Sequence, residues 1–131
     1  MLLVEALRFR SASAPRGEQG LLAGLADPRL ARALREIHVD VARRWTIAKL
    51  ARTAAMSRAA FAERFARKVG MPPMQYLLEW RVALAKDMLR GERPPLAEVA
   101  ERIGYQSASA FSAAFTRLTG RSPSAFARSP D

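Results

Sequence analysis

Apolar residues recur every three or four positions along most of the chain, which is the spacing of an α-helix with one buried face. Runs of alternating β-branched and aromatic residues, which are typical of strands, are missing from the sequence. The pattern therefore predicts an all-α fold. The segment 11–20 is an exception, because its Ser, Pro and Gly residues follow no period and indicate a linker.

Capping residues mark the start of three helices in the first half of the chain. The side chains of Asp27, Thr46 and Ser57 can each accept hydrogen bonds from the unpaired N–H groups of a first helical turn. We expect the helix that begins at Asp27 to end near His38, and Gly70 to end the helix that begins at Ser57. The last two helices are then separated by only a short turn.

A long helix is expected from Pro73 to about Arg90, and it has two apolar stripes rather than one. A helix that is buried on two sides connects two packed units. After it, a short helix follows from Leu96 to Ile103, and Ser107 caps the next one.

The two halves of the chain repeat one pattern about 50 residues apart. The apolar stripe of the first short helix matches that of the second: Ile47, Leu50, Ala51 and Ala54 against Leu96, Val99, Ala100 and Ile103. The capping serine, two phenylalanines and closing glycine also match: Ser57, Phe61, Phe65 and Gly70 against Ser107, Phe111, Phe115 and Gly120. Each repeat is a short helix, a tight turn and a serine-capped helix, which is the outline of a helix-turn-helix motif.

The turns of the two motifs differ in one respect. The second contains Gly104, whereas the first has Ala-Ala-Met at 54–56. A left-handed residue in the first turn would therefore carry backbone strain.

The charge of the chain indicates a polyanionic partner. Among 131 residues, 22 Lys and Arg face 12 Asp and Glu, giving a formal net charge of +10. Nucleic acid is the favoured partner, while an anionic membrane surface or a merely solvated basic surface are the alternatives. No apolar stretch is long enough for a membrane span, so we expect a soluble, cytoplasmic protein without a membrane partner.

Catalytic patterns are not apparent in the sequence. The absence of cysteine excludes disulfides, thiolate metal sites and cysteine nucleophiles. Paired carboxylates at catalytic spacing and glycine-rich phosphate loops are also missing. We therefore expect no enzymatic activity, no cofactor and no metal. The single histidine, His38, is expected to pack or to meet carbonyl groups.

The residues of both motifs closely resemble the C-terminal DNA-binding domain of the AraC/XylS family of bacterial transcription regulators. The resemblance covers about 27–128 and is carried by 45–47, 56–61, 96–100, 103–105 and 120–123, together with Phe111 and Phe115. It implies about seven helices, with both motifs addressing successive major-groove segments of double-stranded promoter DNA. It further implies that the protein controls transcription by recruiting or blocking RNA polymerase, and that it is associated with the bacterial nucleoid.

The resemblance also implies a domain organisation. Residues 1–26 look like a helix remnant of a cupin-type domain followed by a linker, and 27–128 like the tandem DNA-binding domain. Within it we expect a first motif at 46–70, a linker helix at 73–90 and a second motif at 96–120. Two motifs in one chain permit binding as a monomer.

The DNA-contacting residues are expected on the helix faces opposite the phenylalanines. At 100° per residue, these faces consist of Ala59, Ala62, Glu63, Ala66 and Arg67 in the first motif and Ser109, Ser112, Ala113, Thr116 and Arg117 in the second. Glu63 can accept from a cytosine amino group, and Arg67 and Arg117 can reach guanine or phosphate. Ala59, Ala62 and Ala113 stand where relatives often have longer side chains. We therefore expect few direct contacts with bases and a contribution to specificity from DNA shape.

Phosphate contacts are expected next to these faces. Ser57 and Ser107 cap their helices and can bind phosphate in addition, and Gln106 precedes the second cap. Arg58, Arg43 and Arg44 are phosphate candidates by charge, although each can equally be a solvated side chain.

Two other functions remain open at this point. The alanine-rich faces fit a protein-interaction module that binds another regulator or polymerase, and the basic balance fits a sequence-blind nucleic-acid binder. Glu98 and Glu101 are expected on a solvated face, with a polymerase contact as the alternative.

Overall fold

Each capping residue named above starts a helix in the computed structural model, which describes residues 15–130. Asp27 accepts from the N–H groups of Arg29 and Leu30, and Thr46 accepts from that of Lys49. Within the described residues there are eight helices and no strand, so the all-α prediction is confirmed. The helix remnant that the resemblance implies, at residues 2–7, lies outside the described residues.

The helices are numbered in chain order. They are α1 (Pro15–Ala26), α2 (Pro28–Val39), α3 (Ile47–Thr53), α4 (Arg58–Val69), α5 (Pro73–Arg90), α6 (Leu96–Ile103), α7 (Ala108–Thr119) and α8 (Pro123–Arg128). Helices α2 to α7 are the six expected from the apolar and capping pattern, and with α8 they make the seven that the resemblance implies. Helix α1 is additional.

The linker predicted at 11–20 is wrong where the structure describes it, because residues 15–26 form α1. This helix packs against α2 and α4, and Leu21 is buried. Gly20 and Gly24 are close-approach residues rather than loop residues: a Cβ on Gly20 would overlap the carbonyl oxygen of Val69. A Cβ on Gly24 would lie 2.8 Å from Cδ1 of Leu34. Small residues thus let α1 approach its neighbours.

The described residues divide into two units. The first consists of 15–40 and 44–78, and the second of 41–43 and 79–130. Helix α5 contributes residues to both, up to Leu78 in the first and from Glu79 in the second. The predicted limits of the first motif enclose α3 and α4, and those of the second enclose α6 and α7.

The sequence repeat is also a structural repeat. In the first unit, the rings of Phe65 and Tyr76 meet edge to face, with centroids 5.8 Å apart at 72°. In the second unit, the rings of Phe115 and Phe126, at equivalent positions, lie 5.6 Å apart at 69°. All four side chains are buried. Each unit therefore locks its second motif helix with the same aromatic contact.

Candidate nucleic-acid interface

The second helix of each motif begins at a serine cap. Oγ of Ser57 accepts from the N–H of Ala60 at 3.2 Å, and Oγ of Ser107 accepts from that of Ala110 at 3.1 Å. Both serines are exposed. The predicted caps are confirmed. The residues of each first turn are at least partly exposed, and free N–H groups at a helix N-terminus can bind an anion.

The turns before these caps share a hydrogen bond but differ in their left-handed residue. The N–H of Met56 donates to the carbonyl of Ala51 at 2.9 Å, and the N–H of Tyr105 donates to that of Ala100 at 2.8 Å. Gly104 supplies the left-handed conformation in the second turn, with φ 101°, whereas Ala55 adopts φ 59° in the first. The strain expected from the sequence is therefore present at Ala55.

The outward side of α4, named here the first reading face, consists of Ala59, Ala62, Glu63, Ala66 and Arg67. Ala59, Glu63 and Arg67 are exposed and the other two partly so, while Phe61 and Phe65 on the opposite side are buried. Nε of Arg67 lies 3.1 Å from Oε1 of Glu63, and both side chains are more than 60% exposed. Such an exposed pair contributes about 0.3–0.5 kcal/mol, so either member can turn to another partner at little cost.

The outward side of α7, named here the second reading face, consists of Ser109, Ser112, Ala113, Thr116 and Arg117. Four of these are exposed and Ser112 is partly exposed, and Gln106 is exposed before the cap. Helix α7 has no acidic residue. The five residues of the second reading face therefore carry one positive charge, whereas Glu63 offsets Arg67 among the five of the first.

Further cations are exposed beside these helices. Arg58 is exposed at the start of α4, and Arg43 and Arg44 are exposed in the segment between α2 and α3. The carbonyl of Arg44 accepts from Nζ of Lys49 at 2.8 Å. The predicted phosphate candidates therefore all present their side chains at the surface.

The sequence did not reveal the contacts of Arg81. In the second unit, its Nε and Nη2 donate to the carbonyl oxygen of Val41 at 3.1 and 2.9 Å, and Nη2 donates to that of Arg43 at 3.0 Å. Its guanidinium carbon lies 5.7 Å from the ring centroid of Tyr105. Burial lowers the pKa of this partly buried arginine. No local signal could have found contacts between residues so distant in sequence.

A second contact missed from the sequence joins α4 to the start of α2. Nε of Arg64 donates to Oδ2 of Asp27 at 2.7 Å. Burial alone would raise the pKa of the Asp27 carboxyl, but hydrogen bonds from the N–H of Leu30 and from Arg64 outweigh it and hold the pKa below its usual value. The capping role of Asp27 was readable locally, and its ionic partner was not.

His38 takes no part in either reading face. Its Nε2 lies 2.7 Å from the hydroxyl oxygen of Tyr76, and the two rings stack with centroids 5.9 Å apart. Burial lowers the pKa of His38 to about 4, so the imidazole is neutral at pH 7. The expectation that this histidine packs is confirmed.

No helix within residues 15–130 has both the length and the apolarity needed to cross a membrane.

Comparison with known proteins identifies relatives along most of the chain. A family described as a helix-turn-helix domain matches residues 50–129. Putative AraC-like transcription regulators of Streptomyces lividans and Streptomyces antibioticus are 46% and 44% identical over 130 residues, which is 99% of this chain. The chain spans 43% of the length of each of these relatives.

Solved structures agree with this assignment. The DNA-binding domain of AdpA, a global transcriptional factor, in complex with a target DNA, matches with a TM-score of 0.73 and 32% identity, covering 78% of this chain and 91% of that one. The C-terminal domain of AraT, a response regulator from Geobacillus stearothermophilus, matches with a TM-score of 0.74 and 26% identity, covering 78% and 85%. The present chain belongs to the AraC-type helix-turn-helix family of DNA-binding transcription regulators, which is not a family of enzymes.

Proposed function

We propose that the chain inserts α4 and α7 into successive major-groove segments of promoter DNA and so controls transcription. The observation that carries the proposal is the repetition of one arrangement: two serine-capped helices, each with its phenylalanines buried and its opposite face exposed. A helix held in this way presents its outer side chains to base edges. The AdpA domain, which the chain resembles over 91% of that domain's length, was solved on target DNA.

Base contacts are assigned to the polar members of the two reading faces. Glu63 accepts from a cytosine amino group, and Arg67 and Arg117 donate to guanine or to phosphate. Ser109, Ser112 and Thr116 offer hydroxyl groups to base edges, and Gln106 lies next to them. Ala59, Ala62 and Ala113 meet thymine methyl groups. Because alanine side chains form no hydrogen bonds with bases, part of the specificity comes from DNA shape.

Phosphate contacts are assigned to the helix starts. Ser57 and Ser107 present free backbone N–H groups beside their hydroxyls, and Arg58 adds a charge at the start of α4. Arg43 and Arg44 supply further cations. These contacts set the orientation on the duplex and make the affinity depend on salt.

Control of transcription brings RNA polymerase in as a further partner, either recruited or blocked. The outer side of α6 is available for such a contact, because Glu98 and Glu101 are both exposed, and Oε2 of Glu98 lies 2.6 Å from Nη2 of Arg102 of the same helix. DNA binding by two motifs in one chain does not need a second copy, so we expect a monomer on an asymmetric site in the bacterial cytoplasm.

The test is a selection of genomic fragments by the purified protein, followed by sequencing of the bound DNA at two salt concentrations. The expected result is an asymmetric motif with two blocks about one helical turn apart. Glu63→Ala should weaken the sequence preference in the first block, and Arg117→Ala should weaken it in the second. Glu36→Ala and Arg128→Ala remove the same charges from exposed positions of α2 and α8 and should spare both blocks.

Two outcomes would contradict the proposal. Fragments without a shared motif, bound with a steep salt dependence, indicate a sequence-blind nucleic-acid binder. No retention of DNA, with capture of polymerase or another regulator instead, indicates a protein-interaction module.

A further inference from the structure

Residues 41–43 precede the first motif in sequence, yet they belong to the second unit. The guanidinium of Arg81 holds their backbone with three hydrogen bonds, two to the carbonyl of Val41 and one to that of Arg43, at 2.9–3.1 Å. The planar donor fork of arginine fits two neighbouring carbonyl groups in a way that a lysine ammonium cannot. One side chain of α5 therefore fixes the path of this segment.

The same segment lies against the turn of the second motif. A Cβ on Gly104 would be 3.0 Å from Cα of Ala42 and 2.8 Å from Nη2 of Arg81. Arg81 also lies over the ring of Tyr105, the residue after Gly104. The backbone of 41–43 is thus packed beside the residues that lead into Ser107 and the second reading face.

We infer that Arg43 binds a DNA backbone phosphate as part of the second motif, and that Arg81 is the positioning residue that holds it there. The inference rests on the proposed function, because the phosphate is that of the duplex read by α7. Arg81 holds the carbonyl groups of Val41 and Arg43, and Arg43 is an exposed residue. A cation on a pre-ordered backbone binds phosphate with a smaller loss of conformational entropy than one on a mobile loop.

The inference is tested on the selected operator, with dissociation constants measured from 50 to 200 mM salt and phosphates mapped by ethylation interference. Arg43→Ala should lower the salt slope by about 0.9, which corresponds to about 3.5-fold over that range of salt. It should also abolish interference at a phosphate beside the block that Arg117→Ala weakens. Arg32→Ala removes an equal charge from an exposed position of α2 and should leave that phosphate unchanged.

The positioning role is tested by variants that keep the charge. Arg81→Lys should weaken interference at the same phosphate, although Arg43 and the net charge are retained. If Arg81→Lys does not fold, Ala42→Gly tests the positioning role instead. It loosens the segment without removing a charge, and it should weaken ethylation interference at the same phosphate. Wild-type thermal unfolding of Arg43→Ala would show that its effect is local.

Three results would overturn the inference. The first is an equal salt slope for Arg43→Ala and Arg32→Ala, and the second is that Arg43→Ala abolishes interference at a phosphate beside the first block. The third is wild-type interference in a folded Arg81→Lys or, if that variant does not fold, in Ala42→Gly. An operator with two blocks and an unaffected Arg43 phosphate would refute this inference alone. Absence of any operator would refute the proposed function instead.

Discussion

The Nε atom of Arg64 lies 2.7 Å from Oδ2 of Asp27, so the helix proposed to read the first DNA segment is tied to the N-terminus of α2. The other carboxylate oxygen, Oδ1, accepts from the N–H groups of Arg29 and Leu30. A single buried carboxylate therefore caps one helix and anchors another.

Removing the Asp27 carboxylate should destabilise the first unit. Asp27→Ala loses the cap, worth about 1 kcal/mol, and leaves Arg64 without this partner, so the free energy of unfolding should fall by about 2–3 kcal/mol in all. Asp27→Asn keeps a capping oxygen and should lose about half of that amount. Urea unfolding at pH 7 measures both losses. Wild-type stability of Asp27→Asn would show that the ion pair contributes nothing, and equal losses in the two variants would show that the cap contributes nothing.

The stability of the protein should depend on pH through His38. Because burial lowers its folded pKa to about 4, the unfolded chain binds more protons than the folded one below the ordinary pKa of 6.5. The contribution of His38 to stability is therefore greatest above pH 6.5 and decreases as the pH falls, by about 1–2 kcal/mol between pH 6.5 and 5. The free energy of unfolding of His38→Gln, measured over the same range, should change much less. A parallel decrease in wild type and variant would assign the effect to other groups.

The caps and the repeat were predictable from sequence because they are local. A serine before an apolar period and a glycine after it act on backbone groups within one turn, so Ser57 and Ser107 could be assigned without a structure. The exposed faces followed from the same period, once Phe61 and Phe65 marked the inside.

The remaining features depend on what residues meet across the fold. Gly20 and Gly24 are typical of a linker in sequence, and only their contacts with α4 and α2 show why they are glycines. The partners of Arg64 and Arg81 lie far away in the chain, and a long cationic side chain has no periodicity that reveals its partner. Burial likewise sets the protonation state of His38, and burial cannot be inferred from composition.

Gly104 and Gly120 should tolerate a side chain differently. Both have a left-handed backbone, with φ of 101° and 81°, which costs about 1–2 kcal/mol for alanine. A Cβ at Gly104 also meets Arg81 and Ala42, whereas none is met within 4 Å at Gly120. Gly104→Ala should therefore lower the free energy of unfolding by about 3 kcal/mol or more. Gly120→Ala should lower it only by about 1–2 kcal/mol, the cost of the left-handed backbone. Thermal unfolding compares them, and equal shifts would mean that the close contact relaxes freely.

Ala55→Gly should stabilise the protein. The left-handed conformation of Ala55 is strained for a residue with a Cβ, and glycine removes that strain while gaining some freedom in the unfolded chain. The net gain in the free energy of unfolding should be about 0.5–1 kcal/mol. Ala59→Gly, an equal change at an exposed position inside α4, should instead cost about 0.5–1 kcal/mol. A loss of stability in Ala55→Gly would show that the turn carries no relievable strain.

Glu63 should increase specificity at the expense of overall affinity. Its carboxylate repels phosphate and pairs with Arg67, so Glu63→Ala frees a cation and removes a negative charge from the first reading face. Binding to random DNA should then tighten, while discrimination at one base pair of the first block should fall by about 1–3 kcal/mol. Competition binding with operator variants measures both quantities. Glu36→Ala removes the same charge from the exposed side of α2, and it should leave base-pair discrimination unchanged. If both variants affect random DNA and operator alike, Glu63 acts through charge alone and reads no base.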